Sequence, residues 1–401
     1  MFHTSKFNQM FKLSMSTGQK SIRELLVEMK DTSDWMVDLS LASIYFEDEN
    51  LAKFVHSLES KMDDLTYEFF QCAAVVSRSR EEARRMVSLM QIAASAENIS
   101  NATGDLSSLV LRKVGIHPVL KEALAMAGER LARIRVREGS HLAGKELGQL
   151  RLPSSMGVWV LARRRGEEYE IPNKKTLLEA GDLLVVKGPP EGIQRIHKIA
   201  GEPITPLKPS PKLRGLKKTL AEMRDAAVLS VDLAYSSVLL NLTEPAELVR
   251  EIETKFDRLS YKLWAETLKA AKKEGERGLT SVLETVRCLE RITDSADSIV
   301  DFILRGIEPH PVLTEAMSEV NEKISRVQVR PGSVLENRSI GELDLWATTG
   351  VYVLFIQRGE KFLYTPGRKT RIVAGDLLVL RGAYAGIEKM KKLAEVSVPE
   401  A

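Results

Sequence analysis

Apolar residues recur every three or four positions in the first stretch of the chain. Ile22, Leu25, Met29, Ser33, Met36, Ser40 and Ile44 fall on one stripe, and Leu216, Leu220, Met223, Ala227, Val231, Ala234 and Val238 fall on another. That spacing lays one face of a helix against a core. Two further long periodic segments follow each stripe, near 50–79 and 81–114 and again near 244–273 and 276–306. Their connections are short, which favours antiparallel neighbours, so each set predicts a three-helix bundle. A shorter helix is expected to open at His117-Pro118 and at His310-Pro311. Proline suits a first helical turn, where its missing N–H would have no partner. These histidines are therefore read as structural rather than as ligands.

The pattern then changes. Residues 132–190 and 325–384 hold short β-branched runs punctuated by glycine. Gly157 to Leu161 and Gly350 to Leu354 read as buried strands, as do Asp182 to Val186 and Asp376 to Leu380, each of the latter entered through a Gly-Asp turn. A short helix is expected near Gly144 to Leu150 and Ser339 to Leu345, and a closing one at 190–199 and 384–395.

The two halves are copies of one another. At an offset of 194, Glu28-Met29 matches Glu222-Met223, and Val37-Asp38-Leu39 matches Val231-Asp232-Leu233. One residue shorter, His117-Pro118-Val119-Leu120 matches His310-Pro311-Val312-Leu313. Ala180-Gly181-Asp182-Leu183-Leu184-Val185 recurs letter for letter from Ala374 to Val379. A register held over that length marks a duplication. The expected class is α+β: two tandem copies of a long-helix bundle followed by a small α/β domain. The divisions are a disordered tail at 1–20, a bundle at 21–131, a β-containing domain at 132–200, a proline-bearing linker at 201–212, a second bundle at 213–324 and a second β-containing domain at 325–396.

Composition narrows the function. A formal charge of +3 over 401 residues gives no strong pull toward nucleic acid. No apolar run approaches the roughly 20 residues a membrane helix needs. Cys72 and Cys288 are far apart, without partners at zinc spacing, and fit a reducing cytoplasm. There is no nucleophile elbow, no phosphate loop and no His/Cys/Asp cluster at catalytic spacing, so a non-enzyme is expected. The segment from Lys208 to Lys218 holds five basic residues and no acid. It is read as a soluble linker and helix start in preference to a contact for lipid or a membrane partner. Trp35, Trp159, Trp264 and Trp346 are read as core or interface residues.

The β-rich halves resemble the TrkA-C domain, also called the C-terminal RCK domain. The likeness rests on Gly139-Ser140, Leu142, Gly144-Lys145, Gly157-Val158, Arg165, Pro172 and Ala180-Gly181-Asp182-Leu183-Leu184 with Gly188. In copy two it rests on Gly332-Ser333, Leu335, Ile340, Gly350-Val351, Arg358-Gly359, Pro366 and Ala374-Gly375-Asp376-Leu377-Leu378 with Gly382. Copy two departs at Asn337-Arg338, where copy one has Gly144-Lys145, so pockets built on that turn are expected to differ. The resemblance implies a small α/β domain that dimerises, binds ions or small anionic ligands and regulates potassium or other cation transport. The Gly-x-Gly-x-x-Gly loop of a dinucleotide-binding partner domain is missing.

The helical halves are similar to the PhoU family, most clearly in Glu290-Arg291-Ile292-Thr293-Asp294-Ser295-Ala296-Asp297 with Glu253 and Asp257. The resemblance implies a metal site, for a divalent or iron-type ion, at Glu253, Asp257, Glu290, Asp294 and Asp297. No other cofactor is expected. Glu290, Asp294, Asp297 and Asp301 do share one helix face. A solvated or ion-paired face, helped by Arg287 and Arg291, is the preferred reading of the residues themselves. Copy one keeps Glu59, Asp63 and Glu97 but has Asn101 and Gly104 in place of Asp294 and Asp297. Asp38 and Asp232 are read as partly buried structural aspartates, with a part in the acidic site as the minor alternative.

Together these readings predict a cytoplasmic, ligand-sensing regulator of a membrane cation channel or transporter, either a homodimer or an intrachain pseudo-dimer. The alternatives are a phosphate-signalling adaptor, a regulator of a magnesium-type transporter, and a plain scaffold.

Overall fold

The computed structural model describes residues 20–76, 79–203, 212–240, 242–274, 278–307, 312, 323–359, 361–364 and 366–395. The tail at 1–19, most of the linker and the His310-Pro311 helix start lie outside them.

In copy one, α1 (Ile22–Phe46), α2 (Glu49–Val76) and α3 (Arg80–Leu111) pack as a three-helix bundle. Ser21 starts α1 with a capping box, its hydroxyl accepting from Glu24 N at 3.2 Å while Ser21 N donates to the Glu24 carboxylate at 2.8 Å. A short α4 (Pro118–Met126) has His117 as its N-cap, with Nδ1 accepting from Val119 N. There follow β1 (Arg130–Arg135), α5 (Leu147–Leu150), α6 (Leu152–Met156), β2 (Trp159–Arg165), β3 (Glu168–Glu170), β4 (Leu183–Gly188) and α7 (Pro190–Ala200). Copy two repeats the plan with α8 (Arg214–Leu240), α9 (Thr243–Glu274), α10 (Leu279–Leu304), β5 (Lys323–Gln328), α11 (Ile340–Leu343), α12 (Leu345–Thr349), β6 (Val351–Arg358), β7 (Lys361–Tyr364), β8 (Leu377–Gly382) and α13 (Tyr384–Glu395). Each sheet is antiparallel throughout, in the order β1-β4-β2-β3 and β5-β8-β6-β7.

Two features go beyond the sequence reading. The short helix expected inside each β domain is two separate turns, α5 and α6 or α11 and α12, broken by Arg151 and Asp344 in the left-handed region. The edge strands β3 and β7 are additional.

The bundles fuse. α3 of copy one packs along α10 of copy two, so the helices of both copies share one continuous apolar core. Gln91 reaches the Ser298 carbonyl at 2.7 Å across that seam, and Arg291 pairs with Asp105. Arg291 therefore faces the other copy rather than the acidic stripe beside it, while Arg287 holds Glu284 of its own helix at 2.8 Å and approaches Asp105 only to 3.8 Å.

Each sheet is buried on both faces. In β4, Leu184 and Val186 enter the core of their own domain while Val185 joins the bundle core. In β8, Leu378 and Leu380 face their own domain and Val379 faces the bundle. Strand side chains alternate between faces, so a strand covered on both sides reads as an unbroken apolar run. That accounts for Leu183 to Val186.

The two β domains also pair inside the chain, α6 against α12. The Trp346 indole N–H donates to the Gly157 carbonyl at 2.6 Å. Gly157 has φ +67°, and a Cβ there would lie 1.9 Å from Trp346 Cδ1, so only glycine fits. Gly157→Ala is expected to cost about 2 kcal/mol through strain and overpacking, and Trp346→Phe about 1 kcal/mol through the lost hydrogen bond. Urea unfolding of both variants checks this; an unchanged midpoint for Gly157→Ala would contradict the packing.

Candidate functional site

The bundle-facing positions of β4 and β8 continue beyond Val185 and Val379 to Lys187 and Arg381, two residues further on the same face. Both cations are thereby driven into the junction between sheet and bundle, where each meets an aspartate of a first bundle helix. Lys187 Nζ lies 2.7 Å from Asp38 on α1, with both side chains under a tenth exposed. Arg381 pairs with Asp232 on α8. The two pairs occupy equivalent places in the repeat. Asp38 is thus a buried structural aspartate and Asp232 a partly buried one, each paired with a cation of the sheet.

A third acid joins them. Glu129, just before β1 of copy one, reaches across to Arg381 of copy two, Oε1 to Nη2 at 3.4 Å. Burial holds its carboxyl well above the usual range, against the pull of Lys187, Arg381 and Arg224. Arg224 on α8 is 4% exposed and donates to Asp225 at 2.8 Å. This cluster joins both β domains to α1 and α8. Sequence reasoning missed Glu129, whose partner lies in the other copy.

Within each β domain, the aspartate of the Gly-Asp turn is a buried anchor. Asp182 accepts both arms of Arg165 at 2.8 and 2.9 Å, and Asp376 accepts both arms of Arg358 at 2.7 and 2.8 Å. Such bidentate pairs fix geometry as well as charge. The turn at Gly144 keeps its shape in copy two. Asn337 also takes a positive φ, and its N–H bonds to the Ile372 carbonyl as Gly144 N–H bonds to Leu178. The expected difference there is confined to side chains.

Copy one has a polar node of its own. Asp48, in the α1–α2 turn, accepts from Leu51 N, Arg133 and the Tyr169 hydroxyl at 2.7–2.9 Å. The equivalent position in copy two is Leu242.

The acidic residues expected to gather do approach one another on α9 and α10. Burial, then Asp257, Asp297 and Asp294, raises the Glu253 pKa; burial, Asp257 and Glu253 raise that of Glu290. Burial first, then Glu290, Asp257 and Asp297, pushes Asp294 up to about 6. Arg250 meanwhile spans Asp297 and Asp301 at 3.1–3.3 Å. Among the described residues no three acidic, His or Cys side chains converge closely enough to hold one metal ion. As arranged, Glu253, Asp257, Glu290, Asp294 and Asp297 make a crowded, partly ion-paired face rather than a closed coordination shell. In copy one His56 takes the place of Arg250 and contacts Glu59 at 2.7 Å and Ser108 at 3.0 Å. The Glu59 carboxylate lies over Gly104, where a Cβ would be 2.3 Å from Oε2, so an aspartate there would require the Glu59 side chain to swing aside.

Lys217, in the basic segment, is buried against Glu122 of α4 at 2.6 Å. Trp264 is 42% exposed and lies outside the core, on an outer face with Tyr261 and Leu268. Burial pushes the Cys288 thiol up to about 12, so it is inert. No helix among the described residues is long and apolar enough to cross a membrane.

Because the folded-state pKa of Asp294 lies above its unfolded value near 4, its ionised form costs stability above pH 6, and the cost fades as pH falls toward 4. Asp294→Asn is expected to raise stability by about 1 kcal/mol at pH 7.5, discounted for partial exposure. The gain should shrink by pH 5. Thermal unfolding at the two pH values tests this, and a gain that grows on acidification would contradict the crowding.

Both kinds of domain resemble known families. The TrkA-C domain model matches residues 131–201 and 324–395, and the PhoU domain model matches 26–110 and 220–303. A curated relative, Ktr system potassium uptake protein A of Vibrio alginolyticus, is 38% identical over 95 residues, 23% of this chain and 42% of that protein; the match spans under half of the relative's length. Crystal structures of PhoU from Pseudomonas aeruginosa (11% identity, TM-score 0.40) and of the phosphate transport system regulatory protein PhoU from Streptococcus pneumoniae (10%, TM-score 0.39) align with 74% and 75% of this chain and 99% of theirs. With both domain models matched twice, in alternation, the chain is a PhoU-like and TrkA-C protein, an internal duplication of that pair of domains.

Proposed function

We propose that the chain is a cytoplasmic, non-catalytic regulator of potassium or other cation transport, which binds a ligand and passes a change of shape to a membrane channel or transporter. The observation that carries this reading is the stretch shared at 38% identity with a potassium uptake protein. The twofold TrkA-C match and the missing dinucleotide loop support a sensing role without nucleotide-cofactor chemistry. The buried pairs Asp38–Lys187 and Asp232–Arg381 supply the mechanical link, since a shift of either sheet must carry a bundle helix with it. A ligand acts here by binding one arrangement better than another; a difference of about 1–3 kcal/mol gives a useful response.

The twofold PhoU match favours a second reading, an adaptor in phosphate uptake. Capture on the tagged full-length chain from detergent-solubilised membranes separates the two. A cation channel or transporter enriched with the chain is the expected result. Enrichment of phosphate-transport or sensor-kinase components in its place would overturn the first reading.

A further inference from the structure

Beside the buried charge cluster, between α8, α9 and the bundle-facing side of β6 and β8, lies a cavity of about 470 Å³. That volume lies in the range of small-molecule sites. Val228, Leu229, Leu248, Ile252, Phe256 and Leu259 form an apolar wall. Glu129, Arg224, Asp232, Arg381 and Tyr352 form a polar floor, and Glu222, Asp225 and Lys255 also line the space. Its walls come from both copies, because Gly128 and Glu129 belong to the first and the rest to the second.

Two groups on the floor are under-satisfied. Arg224 is 4% exposed, and its Nε has no hydrogen-bond partner among the described residues, although Nη1 is held by Asp225. Glu129, its side chain 10% exposed, meets Arg381 at only 3.4 Å, while Arg381 is engaged by Asp232. A buried guanidinium N–H without an acceptor and a buried carboxylate with one long partner both carry a desolvation cost that a ligand can remove. The fixed charges select the ligand further. A net anion would face Glu129, Asp225, Asp232 and Glu222, and a net cation would face Arg224, Arg381 and Lys255. Only a molecule carrying both signs, or neither, avoids one set. A positive group against Glu129, whose charge would restore the ionised carboxylate that burial disfavours, and a negative group against Arg224 match the floor, and an apolar body matches the wall.

We propose that this cavity is a binding site for a small zwitterion with an apolar body, of which a hydrophobic free amino acid is the simplest form. The proposal rests on the ligand-sensing part of the function above and names the site at which sensing occurs. It is independent of which transporter is served. A molecule bound there touches α8, α9 and the ends of β6 and β8 at once, so its binding would bear directly on the Asp232–Arg381 link.

Titration of the full-length protein with L-leucine, L-phenylalanine and L-tryptophan, followed by calorimetry, tests the proposal. At least one should bind with Kd on the order of 1 mM or tighter, as expected for ligands of this size. N-acetyl-L-tryptophanamide keeps the body of tryptophan without its two charges and should bind at least tenfold more weakly than the free amino acid that binds. Leu229→Trp, which places bulk in the cavity, should abolish binding while leaving the unfolding temperature within a few degrees. Because Arg224→Met alters a buried charge, Leu229→Trp is the deciding variant. No binding by any of the three amino acids, equal binding by the amide, or binding that survives Leu229→Trp would each overturn the site. Failure here leaves the membrane capture result untouched, so the two readings fail separately.

Discussion

A sheet covered on both faces cannot carry a charge on its bundle side unless that charge finds a partner, and this constraint organises the molecule. Lys187 and Arg381 follow Val185 and Val379 on the face that the helices cover. Each would be a severe cost if left alone, because a buried cation loses its hydration. Asp38 and Asp232 meet them from the first helix of each bundle. The same pairs therefore fix where each β domain docks, in what register, and against which helix.

Duplication supplies the plan and divergence supplies the site. The two copies share the helix order, the sheet order and the aspartate–cation pair. They differ where function can reside. Asp48 gives copy one a polar node that Leu242 removes from copy two. Arg250 holds Asp297 and Asp301 in copy two, whereas His56, Glu59 and Gly104 fill that space in copy one. Trp346 closes on Gly157 to pair the β domains within a single chain. A fused core along α3 and α10 then joins the two bundles in one helical layer.

Periodicity revealed the long helices because their apolar stripes run for several turns, and the repeated Ala-Gly-Asp segment revealed the β domains. Strands β3 and β7 escaped notice because three or four residues at a sheet edge, such as Glu168-Tyr169-Glu170, carry almost no pattern. Trp264 was assigned to the core or to an interface by spacing alone. It lies on the outer side of α9, where Tyr261 and Leu268 are also exposed, which excludes the core and leaves the interface reading in place. Asp38 and Asp232 stood out as charges in an apolar stripe, yet nothing local named their partners across the fold. Glu129 gave no signal at all, since Arg381 is 252 residues away. Contacts between copies are set by packing, and one copy's sequence does not encode them locally.

The docking claim is tested most directly by a double-mutant cycle on Asp38 and Lys187, using Asp38→Asn, Lys187→Met and the double variant in urea unfolding. Each single change leaves a buried charge without its partner and should cost about 3–5 kcal/mol, while the double variant should recover about 2 kcal/mol relative to their sum. Additive losses, agreeing to within about 0.5 kcal/mol, would show that the two side chains do not act on one another and would contradict the account.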